Sequence, residues 1–198
     1  MSQSHAVVVL AAGGSSRLGR PKQLLTRDGE TLVHRAVRLA LATSPAQVLV
    51  VVGANGEAIA TRIADLDCAV VANRDWHSGL AGSLHLAAAH LEPTVQHVLV
   101  LVCDQPALEL RHLQALLEGA RAVGSGGAAT VHGDALGVPA VIPRDWFDAV
   151  DAAGDRGFGA RLGQQGAGIH RLDAPELGAD IDNPEDLATA RERCWLDG

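Results

Sequence analysis

Two kinds of side chain suited to handling a polyphosphate stand where apolar runs of this sequence end: cations and carboxylates. After the run Ala6–Leu10 the chain reads Leu10-Ala11-Ala12-Gly13-Gly14-Ser15-Ser16-Arg17-Leu18-Gly19-Arg20-Pro21-Lys22-Gln23. Small residues let backbone N–H groups approach phosphate oxygens closely, and glycine tolerates the positive φ that an anion-binding nest uses. Arg17 and Lys22 add fixed positive charge. The spacing is not GxGxxG. It is not GxxxxGK[ST] either, because Arg20 stands where lysine belongs and Pro21 replaces the hydroxyl residue. A plain turn from strand to helix with solvated basic side chains is the alternative reading of the same residues.

Asp104 closes the apolar run His97–Cys103, and Pro106 restricts Gln105 to extended geometry. A carboxylate there can hold Mg²⁺ together with substrate phosphates, or simply form a turn. Asp180 and Asp182 are two apart. In an extended segment both would point to one face with Ile181 inward, and they would repel unless a cation lay between them. Asp182 is the preferred second metal ligand, with Asp180 as the alternative. Asn183-Pro184-Glu185-Asp186 reads as a helix start and nothing more. In Gly79–Leu84, Ser83 sits near the N-terminus of a helix expected over 83–90. Its hydroxyl can cap that helix or meet a base edge, and Gly82 adjoins it. Gly53 and Asn73 also come directly after apolar runs. Trp76 can stack on a ligand or anchor its loop.

Other chemistries find no support. Nine histidines include no HExxH or HxxxH pair, and no GxSxG is present. Cys103 reads as a core residue.

These groups need a scaffold. The runs Ala6–Leu10, Val48–Val52, Ala69–Ala72 and Val98–Val102 are apolar at consecutive positions, which marks strands covered on both faces. Thr31–Ala42, Gly56–Asp65, Ser83–His90 and Glu109–Val123 carry helical periodicity. The alternation predicts an α/β chain with a three-layer, doubly wound, mostly parallel sheet. Beyond the break Gly124–Gly127, strands are expected at Ala128–Val131 and Ala140–Ile142, and a helix at Arg144–Ala152. A glycine-rich segment (154–168), a strand through Ile181 and a helix from Pro184 complete the order. The expectation is a single domain, 1–198, with a nucleotide half of about 1–106 and an acceptor-facing half of about 107–198.

The loop AAGGSSRLGRPKQLL closely resembles the L-A-A-G-x-x-x-R-[ML]-G-x-x-K segment of nucleotidyltransferases. Within these, the chain is most similar to the molybdenum cofactor cytidylyltransferase and MobA-like NTP transferase group. Asn73–Leu84 resembles that group's N-x-x-W-x-x-G-x-x-x-S-L, Cys103–Pro106 its [CG]-D-Q-P, and Asp180–Leu187 its D-I-D-T-P-E-D-L. The resemblance implies a Rossmann-like fold and transfer of CMP from CTP to the phosphate of a molybdopterin-type acceptor, with Mg²⁺ and release of pyrophosphate. It implies nucleotide contacts at Leu10, Ala11, Ala12, Gly13, Gly14, Arg17, Lys22, Gly82 and Ser83, and Gly53 and Asn73, which end strands on the same sheet edge, are further candidates. Arg17, Lys22 and Asp104 would be catalytic, and Asp104 and Asp182 would hold the metal. Ala11-Ala12-Gly13 is similar to the cytidylyl members, whereas guanylyl members read A-G-G. Two segments depart from the group: Gly137-Val138-Pro139, where G-H-P is usual, and Gly154–Arg161, which resembles G-D-R-G-A-R with two extra residues. The alternatives are a catalytically silent nucleotide-binding accessory or chaperone for a molybdoenzyme, a cytidylyltransferase acting on another acceptor such as methylerythritol phosphate, and a dinucleotide-dependent oxidoreductase, which the glycine spacing disfavours.

Composition agrees. The formal charge of −7 and the absence of a Lys/Arg cluster argue against a nucleic-acid partner. No apolar run approaches the ~20 residues that span a bilayer. The opening MSQSHAVVVLAAGG lacks a basic n-region, and three widely spaced cysteines suit a reducing compartment, so a cytoplasmic protein is expected.

Overall fold

The computed structural model describes residues 4–149, 158–164 and 168–198. Seven strands form one sheet in the order β5-β4-β1-β6-β8-β7-β9. They are β1 (His5–Ala11), β4 (Gln47–Val52), β5 (Ala69–Ala72), β6 (His97–Val102), β7 (Ala128–His132), β8 (Ala135–Pro143) and β9 (His170–Asp173). A two-stranded ribbon, β2 (Thr26–Arg27) with β3 (Glu30–Thr31), lies apart. Six strands of the large sheet run one way. Only β8 runs antiparallel to its neighbours β6 and β7.

The consecutive apolar positions do what their pattern requires. Val7, Val9 and Ala11 of β1 face one core, which they share with α1 (Leu32–Leu41), α2 (Gly56–Arg62) and α4 (Leu110–Ala122). Ala6, Val8 and Leu10 face a second core, shared with α3 (Leu80–Ala88), α5 (Arg144–Asp148) and α6 (Gly159–Gln164). Alternate side chains of one strand thus feed two layers of helices. A third, smaller cluster joins Leu18, Leu25, Leu32, Ile181, Leu187, Ala190 and Leu196, around α7 (Pro184–Glu192).

The chain starts in the middle of the sheet, winds outward through β4 and β5, then returns to place β6 on the other side of β1. The loops after β1 and β6 therefore diverge and open a crevice at the carboxyl ends of adjacent strands, where doubly wound sheets bind ligands.

Three expectations need correction. Ala69–Ala72 is the sheet's edge, and only Val71 of the four is buried, so its apolar run does not mean two covered faces. Helix α3 begins at Leu80 with Gly79 as its N-cap, so Ser83 is not a cap. No strand passes through Ile181. The last strand is His170–Asp173, and Ile181 is buried by packing beneath α7 rather than by pairing. Within the glycine-rich segment, α6 forms over Gly159–Gln164. The resemblance at residues 154–157 and the far end of the helix expected over Arg144–Ala152 fall outside the described residues. Among those residues no helix is long and apolar enough to cross a membrane.

Candidate active site

A cavity of about 460 Å³ fills the crevice. Leu10, Ala11, Ala12, Gly13 and Gly14 form one wall, Val102, Cys103 and Asp104 another, and Trp76, His77, Gly79, Leu80 and Ser83 a third, with Lys22 and Gln23 at its rim.

The loop after β1 is tied down by its carbonyl groups. The buried Gln23 carboxamide donates to Ala11 O at 3.1 Å and to Gly13 O at 2.7 Å, and Ala54 N donates to Ala12 O at 3.1 Å. Ser15 Oγ accepts from Lys22 N at 3.1 Å and donates to Gln23 Oε1 at 3.4 Å. Among the described residues no protein acceptor takes the N–H of Gly13 or Gly14. The loop thus commits its acceptors to the protein and keeps donors for an anion. The positive φ falls on Ser15 (51°) and Gly19 (74°), not on Gly13 or Gly14. Gly14 is required for another reason: a Cβ there would lie 2.7 Å from the Trp76 ring. Nor does the loop lead into a helix N-terminus. A 3₁₀ turn (Lys22–Leu24) and the β2–β3 ribbon come before α1.

Lys22 is the hub. Its ammonium contacts the Asp104 carboxylate and donates to Asp182 Oδ1 at 2.9 Å, and Arg17 Nη2 reaches Asp182 Oδ2 at 2.6 Å. Burial opposes the charge on Lys22, yet the two carboxylates outweigh it and hold its pKa above the usual lysine range. The hydrogen bond from Lys22 leads the causes that hold Asp182 below the ordinary carboxylate value. Asp180 goes the other way. It keeps part of its surface in solvent, yet the protein packed around its carboxyl, followed by the charge of Asp104, pushes it up to about 6. Three carboxylates and two cations therefore meet at this rim, and Asp180 resists ionisation first because of the protein packed around it and then because of the charge of Asp104.

Hard carboxylate oxygens at one rim suit Mg²⁺ or Mn²⁺ bound by one or two carboxylates with substrate phosphates completing the shell. Among the described residues no group of three or more His, Cys, Asp or Glu side chains could hold a metal by itself. The residues fit a cation carried in with its nucleotide, not an all-protein cage.

The remaining sequence-derived residues divide. Ser83 lines the cavity and is buried, and it accepts from Asn73 Nδ2 at 3.0 Å. Asn73 stands behind it, with Oδ1 accepting from Asp75 N at 3.0 Å. Gly53 lies under Trp76, where a Cβ would meet Ala12 O at 2.6 Å, and Gly82 faces Ser78 and Asn73. Gly53, Asn73 and Gly82 thus support the wall rather than form it. Arg17 is also off the wall, with a side chain 71% exposed. Trp76 both anchors and lines: it packs on Gly14 and Gly53 and stacks on His77 with ring centroids 3.7 Å apart. Cys103 is buried, and burial pushes its thiol well above the usual range, as a core residue requires. Sequence reasoning missed Gln23 as the organiser of the loop. Its only signal was a polar residue inside the motif that proves almost fully buried.

A doubly wound sheet with cations and carboxylates gathered at its switch point is the architecture of a nucleotide-handling protein. The family model for the MobA-like NTP transferase domain matches residues 7–169, and the chain belongs to that family of nucleotidyltransferases. Nicotine blue oxidoreductase of Paenarthrobacter nicotinovorans is 33% identical over 193 residues, 91% of this chain and 93% of its own length. A probable molybdenum cofactor guanylyltransferase of Opitutus terrae is 34% identical over 104 residues, 52% of this chain and 50% of its own. Among solved structures, Rv0371c from Mycobacterium tuberculosis H37Rv superposes with a TM-score of 0.79 at 26% identity, covering 97% of this chain and 100% of that one. A structure of Rv0371c in complex with manganese gives a TM-score of 0.74 at 23% identity, covering 96% and 98%.

Proposed function

We propose that this protein transfers CMP from CTP to the phosphate of a molybdopterin-type acceptor and releases pyrophosphate. The observation that carries the reading is the contact of Lys22 with both Asp104 and Asp182 at the mouth of a cavity walled by Leu10–Gly14. Free N–H groups of the loop would hold the triphosphate. Ser83, set by Asn73, would face the base, with Gly53 and Gly82 supporting that wall. An ionised oxygen of the acceptor phosphate attacks the α-phosphorus, and the bond from the α-phosphorus to the oxygen bridging to the β-phosphate breaks. The nucleophile is already an anion, so no general base is needed. Lys22 and Arg17 would hold fixed positive charge beside the leaving pyrophosphate, the positioning and neutralising logic of phosphoryl transfer. Asp104 and Asp182 would hold Mg²⁺, which when bound withdraws negative charge from the phosphates.

Ala11-Ala12-Gly13 supports cytidine, while the Opitutus relative is named for guanylyl transfer. The test is labelled CTP against GTP with molybdopterin and Mg²⁺, monitoring pyrophosphate release. CMP transfer supports the reading, GMP transfer corrects the base, and nucleotide binding without exchange makes the protein a silent accessory or chaperone. Methylerythritol phosphate in place of molybdopterin tests the other cytidylyl acceptor. The cytoplasm, where nucleotides and reduced cysteines coexist, is the proposed location.

A second reading rests on the Paenarthrobacter relative, whose match covers nearly the whole chain under an oxidoreductase name. On that reading the cavity takes a planar dye and an electron donor. Dye bleaching coupled to nicotinamide oxidation, with no pyrophosphate released from any NTP, would replace the transfer assignment.

A further inference from the structure

The segment just after Asp104 is pinned by side chains that take no part in the cavity. Arg27, in the β2–β3 ribbon, donates from Nη1 to Pro106 O at 2.5 Å. The same nitrogen lies 3.2 Å from Glu109 Oε1. Arg35 of α1 reaches Leu108 O at 3.0 Å and Glu109 Oε1 at 2.8 Å. Glu109 is the residue that opens α4. From the other side the Gln105 carboxamide donates to Val138 O at 3.1 Å and to Leu177 O at 2.9 Å.

The ribbon is itself held. Its turn residues Asp28 and Gly29 have φ of 56° and 78°, the conformation of a tight hairpin turn. Their N–H groups both donate to the Asp197 carboxylate, each at 2.9 Å. Asp197 N returns a hydrogen bond to Thr26 O at 2.8 Å. Arg191 Nε donates to Asp197 O at 3.1 Å, which ties this grip to α7. A continuous set of bonds therefore runs from Asp197 through the turn to Arg27, and from Arg27 to the backbone two residues beyond Asp104.

We infer that Arg27 is a positioning residue for Asp104 and that Asp197 sets Arg27 through the ribbon. The inference deepens the transfer reading and rests on it for what Asp104 does. A guanidinium that bonds a backbone carbonyl and a carboxylate together is a rigid, charge-assisted strut. Without it the Asp104 carboxylate leaves its place opposite Lys22 and Asp182. Metal capture suffers, while nucleotide binding on the β1 loop does not.

The test combines amide hydrogen exchange with Mg²⁺ titration of turnover in Arg27→Ala, Arg27→Lys and Asp197→Ala. Arg144→Ala, which breaks a remote ion pair with Asp148, serves as the control. In Arg27→Ala, exchange at residues 107–109 should rise about tenfold or more while the sheet is unchanged. The Mg²⁺ requirement should rise about fivefold with the nucleotide KM held within about twofold. Asp197→Ala should show the same pattern more weakly, and Arg27→Lys should recover part of it. Unchanged exchange at 107–109 overturns the proposal, as does a rise there no larger than in Arg144→Ala or one spread over the whole chain. If Arg27→Ala does not fold, Arg27→Lys and Asp197→Ala decide by the same criteria. Absence of turnover in the unsubstituted protein removes the transfer reading, and the exchange pattern still decides the strut.

Discussion

Lys22 Nζ and Asp182 Oδ1 are 2.9 Å apart across 160 positions of sequence. The contact brings the loop after the first strand to the segment that leads into the last helix, and the same ammonium meets Asp104 after β6. Each of the three arrives on a different segment, so the constellation exists only when the β1 and β6 loops and the approach to α7 are packed together.

Lys22→Ala should lower turnover at least about tenfold, roughly 1.4 kcal/mol of barrier. Pyrophosphate release under saturating nucleotide measures it. Unchanged turnover would remove Lys22 from the chemistry and leave it a structural counter-ion for Asp104 and Asp182.

Gly14→Ala should weaken nucleotide binding, because the added Cβ would lie 2.7 Å from the Trp76 ring and the loop or the ring must shift. Tryptophan emission and calorimetric titration with CTP report the two movements. Adding Trp76→Leu should restore affinity to within about threefold, since the two substitutions share one contact. Equal binding by the single variant would show that the cavity wall is not set there.

Stability should fall in mild acid on account of His5. Burial, then the charges of Arg121 and His97, lower its pKa from 6.5 to about 4, while its Nε2 lies 3.0 Å from Thr43 Oγ1. Above pH 6.5 the ring is neutral in both folded and unfolded chains. As pH drops from there towards about 4, the unfolded chain binds a proton that the folded one refuses, so stability is lost across that interval. Urea midpoints at about pH 7 and about pH 5 measure the slope, and His5→Gln should flatten it. His97 and His112, also lowered by burial, leave a residual slope.

Chelation should abolish turnover, with Mg²⁺ or Mn²⁺ restoring it. Asp182→Asn should raise the metal concentration needed by about tenfold or more, as loss of one of two charged ligands requires. Full activity in excess chelator would show that Lys22 and Arg17 alone neutralise the phosphates.

Much of this was legible because buried parallel strands write themselves as consecutive apolar residues, and because the loops at the carboxyl ends of such strands face the ligand in a doubly wound sheet. Leu10–Gly14, Lys22, Asp104 and Ser83 all line the cavity or its rim. The strand at the far edge, β9, was not legible. His170-Arg171-Leu172-Asp173 pairs along only one edge and carries polar residues, so it shows no apolar run. Ile181 owes its burial to Leu18 and Leu187, which no local pattern reveals. Gln23, Arg27 and Asp197 act through hydrogen bonds between distant segments, and their residue types alone announce nothing. Ser83 was misplaced relative to its helix because Gly79, not serine, starts α3.

The small cluster of Leu18, Leu25, Leu32, Ile181, Leu187, Ala190 and Leu196 shares no residue with the two large cores. Its members flank Arg17 and Asp182 in sequence, so that ion pair stands on a floor of its own. Warming or mild denaturant should melt that floor first, and the molecule would then fall silent while its sheet is still intact.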